Sequence, residues 1–226
     1  MVVFDLDDTL FKEIDYVKSA YRAIAGAIGR AGEMHPELAL TILEESESTE
    51  KGLDDLSAVL WQHNPDTQFK VPAMVEIYRT HVPDISLSPG AKELLDSLKE
   101  KNITVGLITD GRPGTQRAKI EALRLTDYIA PDNILISGET GADKTQQTPF
   151  RMMMERNPAE HRFVYVGDNP AKDFRWPNAL GWLTVQLDDP DGVNIHSQAI
   201  DVPDDFRAAR HIARLADLLP LLAPDK

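Results

Sequence analysis

Five short apolar-rich runs punctuate the chain: Val2 to Phe4, Ile103 to Ile108, Ile134 to Ile136, Phe163 to Val166 and Leu183 to Leu187. Short runs without a consistent in-out alternation predict strands of a parallel sheet buried on both faces. Before each of the last four lies a segment with apolar residues at helical spacing. These hold Leu94, Leu95 and Leu98, then Ile120 and Leu123, then Phe150, Met153 and Met154, then Phe174, Ala179 and Leu180. Strand alternating with helix predicts βαβ crossovers and an α/β core with a doubly wound, Rossmann-like parallel sheet. The ligand crevice of such a sheet lies at the carboxyl ends of its strands.

Residues 11–88 break the alternation. Ile14, Val17, Tyr21, Ile24 and Ile28 recur at steps of three and four, the stripe of an amphipathic helix, and further helices are expected from about Pro36, Leu53 and Pro72. The segment closes at Ser88-Pro89-Gly90, a turn signal. The expected organisation is therefore a core of residues 1–10 and 89–226 with an all-helical cap domain, residues 11–88, inserted over the crevice. The run Phe206 to Leu222 reads as a final helix, fraying after Pro224.

Composition narrows the chemistry. The 226 residues contain no cysteine, which excludes disulfides, thiolate metal sites and cysteine nucleophiles, and with no apolar leader or long apolar run in view a cytoplasmic location is expected. Lys plus Arg number 24 against 37 Asp plus Glu, a formal charge of −13. Such a surface repels nucleic-acid backbones and anionic membranes, so neither is an expected partner, whereas a small phosphorylated metabolite becomes admissible once a bound cation inverts the local field.

That cation has a place to bind. Asp5, Asp7 and Asp8 follow the first apolar run directly, where the backbone leaves the sheet. Their mutual repulsion calls for a counter-ion, and hard oxygen ligands suit Mg²⁺. The stretch Val164 to Asp173 repeats the plan: a strand, then Gly167-Asp168, then Asp173 five positions on. A third strand ends in Thr109-Asp110-Gly111 and brings a hydroxyl and backbone amides suited to phosphate oxygens.

The order Asp-x-Asp-x-Thr, a strand ending in Thr, a Lys, and Gly-Asp-x-x-x-x-Asp closely resembles the haloacid dehalogenase superfamily, phosphatase branch, over roughly residues 1–187. The helical insert resembles that superfamily's C1 type of cap. The resemblance implies a Mg²⁺-dependent phosphatase in which Asp5 is the nucleophile, forming an aspartyl-phosphate, and Asp7 is the general acid and base. It further implies that Asp5, the Asp7 backbone carbonyl and Asp168 ligate the metal, with Asp173 behind them holding the lysine or a metal-bound water. Thr109 and the amides around Asp110 and Gly111 would bind the phosphoryl group. Lys144 is the candidate for the lysine, although Thr145 follows it where the family often has Pro; Lys119 and Lys172 are the alternatives.

For substrate selection the candidates are Arg112, directly after the Thr-Asp-Gly turn, and Lys12, Glu13, Tyr16, Ser46 to Lys51 and Trp61 in the insert. The six histidines show no metal-ligand spacing and read as surface or core residues, and Met152 to Met154 read as core packing. Sugar phosphates or nucleoside monophosphates are the expected substrates. A phosphomutase of the β-phosphoglucomutase type would use the same residues, and a non-catalytic binding module on the same fold is the alternative from another class.

Overall fold

The computed structural model describes residues 1–222; the expected fraying after Pro224 lies outside them. The chain divides into two compact units: Met1–Glu13 together with the chain from Ser86 onward, and Ile14–Ile85. The first junction falls three residues later than expected because Lys12 and Glu13 are bonded into the first unit. Lys12 Nζ donates to Asn194 Oδ1 at 2.5 Å, and the Glu13 amide donates to Asp8 Oδ1 at 2.9 Å.

The elements run β1 (Val2–Phe4), α1 (Glu13–Arg30), α2 (Pro36–Glu44), α3 (Thr49–His63), α4 (Val71–Thr80), α5 (Pro89–Glu100), β2 (Val105–Thr109), α6 (Pro113–Ala122), β3 (Ile134–Ile136), α7 (Ser137–Thr140), α8 (Thr148–Arg156), β4 (Val164–Gly167), α9 (Arg175–Ala179), β5 (Leu183–Leu187), β6 (Arg210–Ile212) and α10 (Leu218–Leu221). No helix among the described residues is long and apolar enough to cross a membrane.

All six strands are parallel, in the order β3-β2-β1-β4-β5-β6. Chain order reverses at β1, so the crevice of this sheet opens where the carboxyl ends of β1 and β4 diverge. The strands are short, but β1 to β4 are buried throughout, as their continuous apolar runs require. Phe150 of α8 meets Tyr165 and Trp182 edge-on at 5.3 and 5.8 Å, and burying an aromatic side chain this fully contributes about 1.5–3 kcal/mol. Met153 lies fully buried in the same cluster, with Met152 and Met154 packed at its edge.

In the second unit the α1 stripe Val17, Tyr21, Ile24 and Ile28 forms one core with Leu43 of α2, Leu53, Leu56 and Leu60 of α3 and Met74 of α4. Ser48 caps α3 through its hydroxyl, which accepts from the Lys51 amide, and proline opens α2 and α4, where a missing N–H costs nothing.

The C-terminal reading needs correction. Where a continuous helix was expected from Phe206 to Leu222, the chain forms β6, which pairs Arg210, His211 and Ile212 with Val185, Gln186 and Leu187, and only then the short α10. Ile212, Leu215 and Leu218 are all buried at steps of three, which mimics helical spacing. The open edge of β5 exposes unpaired backbone groups, and pairing it outweighs that local preference.

Candidate active site

Three strand ends and two loops build the site. The Asp5 amide donates to Val166 O at 2.9 Å, carrying the β1–β4 ladder one residue past β1 and fixing Asp5 at the switch point. Beyond Asp7 the chain turns at Asp8, whose φ of 55° is left-handed, a conformation Asp tolerates better than most residues. The Asp8 carboxylate accepts from the amides of Glu13 and Ile195, at 2.9 Å each, so this third acid of the motif is a buried clasp for the turn.

Lys144 reaches the centre from the segment after α7. Its amide donates to Asp110 Oδ1 at 3.1 Å, and its Nζ stands 2.8 Å from Asp5 Oδ1 and 2.6 Å from Asp173 Oδ1, with the side chain 1% exposed. Thr145, in the position where proline is common, instead gives both its amide and its hydroxyl to Asp143 Oδ1, and Thr145 O accepts from Trp176 Nε1 at 2.7 Å. Side-chain bonds thus hold this turn in place of a pyrrolidine ring. Burial alone would lower the lysine's pKa, but Asp173 and Asp5 outweigh it and raise the value well above 10.5.

Asp173 is fully buried, and its Oδ2 accepts from the Asn169 amide at 2.9 Å. It fits only because residue 167 is glycine: a Cβ there would lie 2.4 Å from that oxygen. Asp168 follows Gly167 at the end of β4. Carboxylate oxygens of Asp5, Asp168 and Asp173 all lie within 4.8 Å of one another, a group able to hold a metal ion. Burial, then the charges of Asp5 and Asp173, push the Asp168 carboxyl up to about 8, and burial likewise raises Asp173. Three buried carboxylates against one ammonium leave a deficit of positive charge, and a hard divalent cation fits that donor set.

Asp7 faces elsewhere: its Oδ1 accepts from Lys119 Nζ at 2.6 Å and its Oδ2 from Gln116 Nε2 at 2.9 Å. Lys119, buried and also 3.7 Å from Glu13, is therefore a partner of Asp7, and Lys172 stands 3.6 Å from Asp110 Oδ2; Lys144 is the candidate that stands 2.8 Å from Asp5. Thr109, at the end of β2, is 1% exposed, and its hydroxyl accepts from Gln116 Nε2 at 2.7 Å.

The Gly111 amide, expected to face a phosphate, donates instead to Ser137 Oγ at 2.9 Å, and Gly111 O accepts from Gly138 N at 3.2 Å. The positive φ of 149° at Gly111 bends the turn against α7, which engages this amide. Arg112 is exposed and does not line the site cavity. That cavity, about 150 Å³, is lined by Asp5, Asp7, Thr109, Asp110, Lys144 and Asp168 together with Asp8, Glu13, Asn169, Lys172 and His196. Of the insert candidates, Glu13 reaches it, with its carboxyl pushed up to about 7 by burial and then by Asp7. In the helical unit the Tyr16 hydroxyl donates to Tyr78 O at 2.9 Å, the polar run includes the α3 cap, and Trp61 is exposed beside a separate hollow.

His196, read from the sequence as a surface or core residue, is exposed and lines the cavity, as does Asn169, which the sequence did not single out. His196 sits on the loop after β5, and no spacing rule connects it to the motifs; only the folded loop brings it to the cavity.

These shifts set a pH dependence. Asp8, Glu13, Asp168 and Asp173 all bind protons more tightly folded than unfolded, so the metal-free protein should lose stability as pH rises from about 4 to about 8. Thermal melts in chelator across that range should show falling midpoints, with Mg²⁺ restoring most at the alkaline end. A midpoint that rises with pH in chelator contradicts the assignment.

An α/β sheet with an acidic, lysine-bridged cluster at its switch point defines a hydrolase core of the haloacid dehalogenase-like class. Residues 2–184 match the family described as Haloacid dehalogenase-like hydrolase, and the chain belongs to it. It is 31% identical to ribulose-1,5-bisphosphate 5-phosphatase of Halopiger xanaduensis over 65% of this chain and 61% of that protein, so the match spans less than two thirds of that relative. It is 28% identical to glyceraldehyde 3-phosphate phosphatase of Methanocaldococcus jannaschii, over 82% of this chain and 83% of the relative. Among solved structures, YfnB of Bacillus subtilis, determined bound to magnesium, shares the fold with a TM-score of 0.62 and 19% identity, covering 99% of this chain and 98% of that one.

Proposed function

We propose that this protein is a Mg²⁺-dependent phosphatase of a small phosphorylated metabolite, acting through an aspartyl-phosphate on Asp5. The observation that carries the reading is the buried Lys144 bridge between Asp5 and Asp173 at the switch point, beside Asp168 and Thr109. Curated relatives named as phosphatases of ribulose-1,5-bisphosphate and glyceraldehyde 3-phosphate favour a sugar-phosphate substrate. The unit Ile14–Ile85, inserted between β1 and β2, is proposed as the cap domain, with specificity among its tasks.

Asp5, Asp168 and the backbone carbonyl of Asp7 would hold the ion, with Asp173 behind them. Bound there, the ion supplies charge neutralisation for the phosphate and lets it approach an acidic cluster. The Asp5 carboxylate attacks phosphorus, the ester P–O bond breaks, and Asp7 gives its proton to the departing alkoxide. Water then attacks phosphorus of the acyl phosphate, Asp7 takes its proton, and inorganic phosphate leaves with Asp5 regenerated. Thr109 and Lys144 bind the phosphoryl oxygens and offset their charge. Asp7 Oδ1 stands 2.6 Å from Lys119 Nζ, so Asp7 has to leave that ammonium to reach the departing oxygen when substrate enters.

Asp7→Asn tests the acid. It should lower kcat/KM for an alkyl phosphate by about 10²–10⁴-fold and for a nitrophenyl phosphate much less, because a good leaving group departs without a proton. Equal losses on both substrates contradict the role.

A further inference from the structure

The loop after β5 grips one aspartate at both ends. Gln198 Nε2 donates to Asp168 O at 2.8 Å and also to Leu187 O at 2.8 Å, while Asn194 Nδ2 donates to Asp168 Oδ2 at 2.9 Å. The loop is itself held: the Asn194 amide donates to Asp189 Oδ2 at 2.8 Å, Asn194 Oδ1 accepts from Lys12 Nζ at 2.5 Å, and the Ile195 amide donates to Asp8 Oδ2 at 2.9 Å. Nothing in the family motifs requires this arrangement, since it comes from residues beyond the matched span of 2–184.

We propose that Asn194 is a positioning residue for the metal site: its carboxamide fixes the Asp168 carboxylate by one oxygen and leaves the other oxygen to the cation. The inference rests on the metal-dependent reading of the site. The choice of side chain has a chemical reason. A lysine or arginine here would fix Asp168 as well, but would place a second positive charge beside the ion; a neutral amide donor orients the carboxylate without competing with the cation. Asp168 is 3% exposed, so water offers little substitute for the bond. Outer donors of this kind hold a ligand's geometry before the ion arrives, and their removal costs affinity.

The test is a Mn²⁺ titration of full-length protein without substrate, following the free-ion electron paramagnetic resonance signal. Asn194→Ala should weaken binding by about 10–100-fold, with the metal-free melting midpoint little changed. The Mg²⁺ concentration for half-maximal turnover should rise by the same factor, while kcat at saturating Mg²⁺ stays within about twofold. Asn194→Leu, which keeps the side chain's bulk and removes only its polar atoms, should shift binding equally and serves if the alanine variant does not fold. Unchanged Mn²⁺ affinity in a folded variant overturns the proposal, as does a kcat loss that saturating Mg²⁺ does not recover. A wild-type protein that binds no Mn²⁺ removes the metal-dependent reading itself, an outcome distinct from wild-type and variant binding alike.

Discussion

Asp5→Asn is expected to lower turnover of an aryl phosphate by about four orders of magnitude or more while the protein stays folded. The amide is nearly isosteric with the carboxylate, and the Asp5 backbone bond to Val166 O does not involve the side chain, so the β1 end should keep its place. What disappears is the nucleophile, without which no acyl phosphate forms. Mn²⁺ binding should persist but weaken, since one of three clustered carboxylates has lost its charge. Phosphate release on an aryl phosphate and far-ultraviolet circular dichroism together check this. Undiminished turnover rejects the mechanism, and a beryllofluoride adduct on any residue other than Asp5 rejects the assignment.

Lys144→Met is the second large effect, and it falls on stability as well as rate. The ammonium stands between Asp5 and Asp173 on a side chain only 1% exposed. Removing it leaves buried carboxylates facing one another, a loss of about 3–5 kcal/mol for a broken buried pair. Because the folded pKa of this lysine is raised, its stabilisation is fully present below 10.5 and is lost only as pH rises through the raised value. The deficit of the variant in chelator should therefore be clear at pH 8, where the acids are losing their protons. It should shrink toward pH 4, where Asp168 is protonated and repels less. Urea melts at the two pH values measure this, and a deficit that grows in acid contradicts the ion-pair account. Turnover should fall about 10²–10³-fold even with Mg²⁺, since the ammonium that offsets the transferring phosphoryl charge is gone.

Much of this site was legible in the residue order. Apolar runs ending in acids mark β1 and β4, and a strand leaving a sheet at Asp5 or Asp168 must deliver its carboxylate to the carboxyl edge. The amphipathic stripe from Ile14 to Ile28 likewise announced α1 and, with its neighbours, a helical insert. Lys144 was one lysine among three by sequence; the distances to Asp5 and Asp173 single it out.

Other features could not be read that way, because each joins residues far apart in the chain. Gly111 sits in a motif that suggests a phosphate-facing amide, yet Ser137, 26 positions later, takes that amide. Asp7 is paired with Lys119 from α6, 112 positions away. Asn194 and His196 belong to a stretch with no periodicity at all, and their relevance depends on the loop folding back across the strand ends.

By itself, then, the sequence determined the parallel sheet, the helical insert and the strand-end acids, because burial periodicity and chain direction are local properties. Tertiary structure alone decided β6, which a helical spacing of buried residues had disguised, since an unpaired sheet edge can be completed only by a segment the fold brings to it. It also decided which cation neutralises which acid, for ion pairing depends on distance in space and on exclusion of water, and neither is written in the order of residues.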